Sequence, residues 1–342
     1  MNRKWGISIV GFVLVIGIFL IGYINSQLQP VQPNAQANQR VIEIPKGSHP
    51  NQIAKILKEN QLIKSEFFFR WYVRYTGEAP GLKAGKYELS NNMSLKEIVQ
   101  ALVEGNAILD IVRFTVPEGY TVEQIAANLS EQGIINKEKF LQLAKIGSVA
   151  DDFFKQIPSN PDVKYKLEGY LFPKTYEVKK GATEEEIIKV MLEQFKKEWK
   201  PEWTTTIKKR KMDMGQIITL ASIIEREVVV DKERPIVAGV LYNRLNDHWN
   251  LQVDATIQYI LGKQKERLTY NDLKIDNPYN TYIYPGLPPG PISNPGIKSI
   301  EAAVSPTNNP YYFYVTKKDN TGEHYFSKTF AEHQKNDARS RK

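Results

Sequence analysis

The stretch DMGQIITLASIIEREVVV, residues 213–230, decides how the second half of this chain is read. Asp213, with Gln216 three residues on, has the spacing of a capping box, so a helix is predicted to start there. At about 100° per residue, Met214, Ile218, Ala221 and Val228 fall within roughly 60° of Glu225. Arg226 and Glu227 turn away, Glu227 by about 200°. Glu225 is therefore expected in the middle of an apolar helix face. A carboxyl group in such a place is costly to ionise unless it is paired, and burial favours the protonated form. A protonated glutamic acid near neutral pH is what general acid catalysis requires. The other reading is structural: a glutamate that pairs with an arginine such as Arg244, or that lies in a loop.

Downstream, Arg234-Pro235 is expected to open a second helix with Ile236, Val237, Val240, Leu241 and Leu245 on its apolar face. Leu251–Asp254 reads as a brief extended piece, and Asp254 as the cap of a helix through Ile257 and Ile260 that Gly262 stops. Residues 277–296, NPYNTYIYPGLPPGPISNPG, hold six prolines and three glycines. Such a loop cannot be regular, and its length inside a compact domain points to function. A helix over Ile297–Val304, a hairpin of Tyr311–Val315 with His324–Phe326, and a last helix from about Thr329 follow.

Upstream, two segments 72 residues apart resemble each other. Ile44-Pro45-Lys46-Gly47 recurs as Val116-Pro117-Glu118-Gly119, and Gln52-Ile53-Ala54 as Gln124-Ile125-Ala126. Lys86-Tyr87-Glu88-Leu89 likewise matches Thr175-Tyr176-Glu177-Val178. The unit is β-α-α-β-α used twice, with an insertion around 147–166 in the second copy. Its strand, Pro-x-Gly turn and Q-I-A helix resemble the LysM family, whose members bind N-acetylglucosamine-containing glycans. A duplicated small domain that only packs is the alternative. Leu167-Glu168-Gly169-Tyr170-Leu171-Phe172-Pro173 is either part of a sugar-facing wall or core.

The N-terminus carries twenty uncharged residues, Trp5–Ile24, long enough to cross a bilayer as a helix. Arg3 and Lys4 precede the run and no basic residue follows until Arg40, which predicts a cytoplasmic N-terminus and an extracytoplasmic body. The run exceeds the usual core of a cleaved signal peptide. Residues 25–40 read as a flexible tether. The formal charge is +8 over 342 residues, which suits an anionic polymer or lipid. The basic residues are scattered among acids, so nucleic acid is not expected. There are no cysteines, hence no disulfide or thiolate chemistry. The four histidines lack ligand spacing, so neither a metal nor another cofactor is expected.

L-A-S-I-I-E-R-E, Y-N-R-L, L-Q-V-D-A-T-I-Q-Y and the Pro-rich loop together resemble the YceG-like endolytic murein transglycosylases, in order and spacing over nearly all of the chain after Val41. The resemblance implies Glu225 as the catalytic glutamate, with Gln252, Asp254, Asn280 and Tyr282 lining the cleft. It implies nascent peptidoglycan as substrate, cleaved between N-acetylmuramic acid and N-acetylglucosamine to leave 1,6-anhydro ends, and peptidoglycan synthases (penicillin-binding proteins) as partners. The fold expected is α+β: a transmembrane helix (1–24), a linker (25–40), a LysM-like module (41–110), and a transglycosylase region (111–342) with a second repeat over 111–192 and a catalytic core over 205–342. With one inward carboxylate and Asp254 used as a cap, an internal hydroxyl is the natural nucleophile. The rivals are a lysozyme-type muramidase, which needs a second carboxylate about 5–9.5 Å away, and a glycan-binding scaffold without activity.

Overall fold

The computed structural model describes residues 3–33, 39–105, 111–149, 151–157 and 160–341, with side chains in the first helix from Ile16 onward. The chain is mixed α+β, with thirteen α-helices and three two-stranded antiparallel sheets among the described residues. It divides into two compact units, Met1–Asp110 and Ile111–Lys342.

In the first unit, helix α1 (Arg3–Leu28) carries the whole uncharged run. Among the described residues no helix is long and apolar enough to cross a membrane. The side chains that make up the first half of the Trp5–Ile24 run lie outside those residues, as do the N-terminal tip and positions 34–38 of the expected linker. Then come β1 (Gln39–Ile44), α2 (Pro50–Glu59), α3 (Glu66–Tyr75), β2 (Gly85–Ser90) and α4 (Leu95–Glu104). β1 and β2 pair with Ile42 opposite Tyr87 and Val41 opposite Glu88. The alternation of period two sends Ile42, Ile44, Tyr87 and Leu89 inward onto Ile53, Leu57, Phe69, Ile98 and Leu102.

The second unit opens with the same order: β3 (Ile111–Thr115), α5 (Val122–Glu131), α6 (Lys137–Ile146), β4 (Thr175–Lys179) and α7 (Glu184–Glu198). β3 pairs with β4 antiparallel, Phe114 opposite Tyr176. The repeat seen in the sequence is thus a repeat of structure. In both copies the helix after the second strand has a capping box, Ser94 with Glu97 and Thr183 with Glu186.

Beyond it lie α8 (Pro201–Lys209), α9 (Met214–Glu227), α10 (Arg234–Asn246), α11 (Asp254–Leu261), α12 (Ile297–Val304), β5 (Phe313–Thr316), β6 (His324–Ser327) and α13 (Phe330–Ser340). Asp213 caps α9 as its spacing predicts, accepting from Gln216 N at 2.8 Å. The burial of α9 differs from the prediction. Every residue from Ile217 to Ile224 is buried, because α8, α10, α11 and α12 surround the helix. A helix enclosed on all sides has no solvent face, so helical arithmetic alone does not separate its inner from its outer positions. Asp254 also departs from expectation. Val253 occupies the cap position without a side-chain bond and Asp254 is the first helical residue, so its carboxylate is not taken up by backbone N–H groups.

Candidate active site

The last turn of α9 presents Glu225 and Glu227 to two different surroundings. Glu225 is held as half of a buried ion pair. Its Oε2 lies 3.3 Å from Arg234 Nη1, with both side chains 7% exposed. The same oxygen accepts from Gly296 N at 3.0 Å. Arg234 is fixed in turn by Asp231, at 3.1 Å from its Nε, and by Ser299. Glu225 thus has an arginine partner, Arg234, where the sequence suggested Arg244. Two glycines permit this packing, Gly119 by its left-handed backbone at φ +77° and Gly296 because a Cβ there would lie 2.0 Å from Glu118 Oε1. Glu118 sits exposed at this place, its carboxyl raised above the ordinary value by partial burial and then by the charge of Glu225.

Glu227 does turn to the other side of α9, where it is half-buried and not in open solvent. Tyr314 of β5 donates to its Oε2 at 2.9 Å. Burial raises the Glu227 carboxyl above the ordinary range. The Tyr314 hydrogen bond opposes that, the Asp254 charge adds to it, and His324 and Arg244 lower it again. Asp254, exposed, accepts the hydroxyl of Tyr282. The phenols of Tyr282 and Tyr314 are both pushed up, first by burial and then by these carboxylates, so each remains a donor across the neutral range. Arg244 is fixed from behind, its Nε donating to Tyr312 O at 2.8 Å and its Nη1 to Leu251 O at 2.5 Å.

Asp254 and Tyr282 thus gather on the Glu227 side of the helix. Gln252 is exposed at φ +49°, a left-handed conformation unusual for a side-chain-bearing residue. The bonds Gln252 N to Thr281 O and Val253 N to Thr281 Oγ1, each 3.0 Å, hold it there. Asn280 is enclosed in the loop. It is fully buried, its Nδ2 donates to Leu273 O and Ile275 O at 3.0 and 2.8 Å, and its Oδ1 accepts from Tyr282 N at 2.9 Å. With its polar atoms used inside the loop, it positions Tyr282. The reasoning from sequence missed Glu227, Tyr314 and the clamp on Arg244. The second glutamate of E-R-E and the repeated aromatics at 311–314 were the available signals.

The Pro-rich loop is attached along its length. Its start reaches Asp254 through Tyr282, and its end reaches Glu225 through Gly296. In between, Ile292 N donates to Ser222 Oγ at 3.0 Å, and residues 286–291 help to wall a cavity of about 1080 Å³ around the N-terminal part of α9. Neither glutamate lines that cavity. Glu168 is buried behind the loop and faces no sugar site. It accepts from Val122 N at 3.0 Å, Asn294 Nδ2 at 3.1 Å and Tyr259 OH at 3.2 Å, and burial pushes its carboxyl up to about 8.

The description of the YceG-like family matches residues 42–339. An endolytic murein transglycosylase of Bacillus subtilis (strain 168) is 39% identical over 331 residues, which cover 94% of this chain and 90% of the relative. The protein of the same description from Streptococcus pneumoniae (serotype 2, strain D39) is 30% identical, over 98% of this chain and 64% of its own length. The crystal structure of a yceG-like protein from Listeria monocytogenes superposes with a TM-score of 0.61 at 36% identity, over 88% of this chain and 99% of that one. By the extent of these matches, the chain belongs to the YceG-like family.

Proposed function

We propose that this protein is an endolytic murein transglycosylase whose acid is Glu227. The observation that carries the assignment is a carboxyl raised by burial that is bonded by Tyr314 and felt by the charge of Asp254, which Tyr282 bonds in turn. Glu227 gives its proton to the glycosidic oxygen between N-acetylmuramic acid and N-acetylglucosamine as the bond to muramic C1 breaks. The resulting carboxylate takes the proton of the C6 hydroxyl of the same muramic residue while that oxygen bonds to C1. A 1,6-anhydro ring closes and no water is consumed. The internal hydroxyl is favoured because well-oriented intramolecular groups reach effective molarities of about 10⁵–10⁸ M. Glu225 was the first candidate from the sequence. Its pairing with Arg234 and Gly296 supports a different task, that of fixing the end of the Pro-rich loop to α9.

The remaining parts of the reading rest on the sequence. The Trp5–Ile24 run, helical throughout, supports a single membrane anchor with the body outside the cytoplasm. The paired β-α-α-β-α units support glycan-holding modules of LysM type, and a site near the membrane suits cooperation with peptidoglycan synthases.

A second reading has one observation in its favour. Asp254 stands beside Glu227 and is not used as a cap, so a hydrolase has its two carboxylates. Digestion of purified glycan strands in ¹⁸O-water decides between them. The transglycosylase leaves unlabelled anhydromuramic ends, whereas label at the muramic end selects hydrolysis. In the same assay Glu227→Gln should cost about 10²–10⁴-fold, the range for loss of general acid catalysis. Full activity in Glu227→Gln, with a folded but inactive Glu225→Gln, would return the role to Glu225.

A further inference from the structure

Helix α3 has two apolar sides. One is core, with Phe69 and Val73 buried. The other faces outward: Phe67 is 62% exposed, Trp71 37% and Tyr75 76%, at intervals of four residues along one line of the helix. Phe68 joins them edge-on, 5.5 Å from Phe67 and 6.5 Å from Trp71 between ring centroids, and Trp71 stacks on Tyr75 at 5.1 Å. Arg70 borders this stripe, and so does Arg74, which is exposed. Large contiguous aromatic patches on a soluble surface normally mark a partner.

The position of the patch says which partner. Phe68 packs edge-on against Tyr23 of α1 at 5.7 Å. Tyr23 is the penultimate residue of the uncharged run that ends at Ile24. The end of α1 is fastened to the same unit: Lys64 Nζ donates to Ser26 O at 2.8 Å, Leu28 packs on the core, and Asn91 Nδ2 donates to Gln32 Oε1 at 2.8 Å. If the run crosses a bilayer, Tyr23 lies where hydrocarbon gives way to headgroups, and the stripe on α3 lies at the same depth. Tryptophan and tyrosine favour that layer because their rings are apolar and their tips polar, and arginine beside them meets lipid phosphate. A sugar platform fits less well. Trp71 and Tyr75 cover each other's faces, and Phe67 and Phe68 carry no hydrogen-bonding group.

We propose that the outer face of α3 is a membrane-docking surface, seated in the headgroup layer of the bilayer beside the emerging end of α1. The proposal rests on the anchoring reading above. It would hold the first unit against the membrane by a second contact, in addition to the fastened end of α1.

The absence of cysteine allows a direct test on the full chain. Single variants Phe67→Cys, Tyr75→Cys, Leu20→Cys and Lys46→Cys are labelled with an environment-sensitive fluorophore and reconstituted in vesicles of phosphatidylcholine and phosphatidylglycerol. Some of the lipids carry a nitroxide near the headgroup. Labels at 20, 67 and 75 should be quenched severalfold more than the label at 46, which sits exposed in the turn after β1. Quenching at 20 with positions 67 and 75 indistinguishable from 46 leaves the anchor standing and overturns the docking surface. No quenching at 20 removes the anchor and the proposal together. Protection of 67 and 75 by N-acetylglucosamine oligomers, without lipid quenching, would make the stripe a glycan platform and overturn the proposal as well.

Discussion

Replacing Glu168 by glutamine should remove a pH dependence from the stability of the second unit. Glu168 is fully buried, and burial pushes its carboxyl from an ordinary value near 4.5 up to about 8. In the unfolded chain it releases its proton near the ordinary value. Between those two points the folded protein keeps a proton that the unfolded protein has lost. Stability therefore falls as pH rises across that window and levels off above it. At about 1.4 kcal/mol per pH unit the full span is on the order of 5 kcal/mol, of which roughly 3 kcal/mol falls between pH 5.5 and 8.5. Glutamine reproduces the protonated acid. Its carbonyl can accept from Val122 N and Asn294 Nδ2, and its amide can face Tyr259, so no buried group is left unpaired. Urea unfolding followed by tryptophan fluorescence, over that pH range, gives the comparison. Both proteins share every other titrating group, so their difference isolates Glu168. The variant should exceed the wild type by about 1.4 kcal/mol at pH 5.5 and by about 4.6 kcal/mol at pH 8.5. Parallel curves for the two proteins would refute the reasoning.

Three further outcomes are expected. Arg234→Met should destabilise by about 3–5 kcal/mol, because it leaves the Glu225 carboxylate buried without its partner; the double variant with Glu225→Gln should recover most of that, measured by thermal melting. Tyr314→Phe removes a hydrogen bond that lowers the Glu227 carboxyl. Because a general acid works while protonated, the alkaline limb of the kcat profile should move to higher pH, and an unmoved limb would argue against Glu227. Asn280→Ala should cost about 1–3 kcal/mol by orphaning two half-buried carbonyls and the Tyr282 amide, with activity falling as Tyr282 loses its place.

The parts of the fold legible in the sequence are those set by neighbours in the chain. Asp213 and Gln216 are three residues apart, and their mutual hydrogen bonds start α9 wherever the helix goes. The repeated turns at 45–47 and 117–119, and the hairpin of β5 and β6, are local in the same sense. What the sequence did not display are the contacts that give a carboxylate its character. Arg234 reaches Glu225 only after the chain bends round into α10, and Tyr314 lies 87 residues beyond Glu227. Asp254 read as a helix cap because its type and position permit it. The choice of Val253 for that place depends on Thr281, which holds the Val253 backbone from another loop.

The proposed assignment of Glu227 in place of Glu225 rests on the same physics. Separated by two residues on a helix, they must diverge by about 200°. Reading one face as core made the other seem to be solvent, and that inference holds for a helix lying on the surface of a domain. α9 runs through the middle of one. Where neighbours cover both faces, an ionisable group on either side is desolvated, and its partners decide what it becomes. A guanidinium and an amide N–H held against one oxygen make Glu225 a fixed strut between the helix and the loop end. Glu227 meets a single phenol with a carboxylate near by, and burial raises its carboxyl, which is the direction the proposed acid requires.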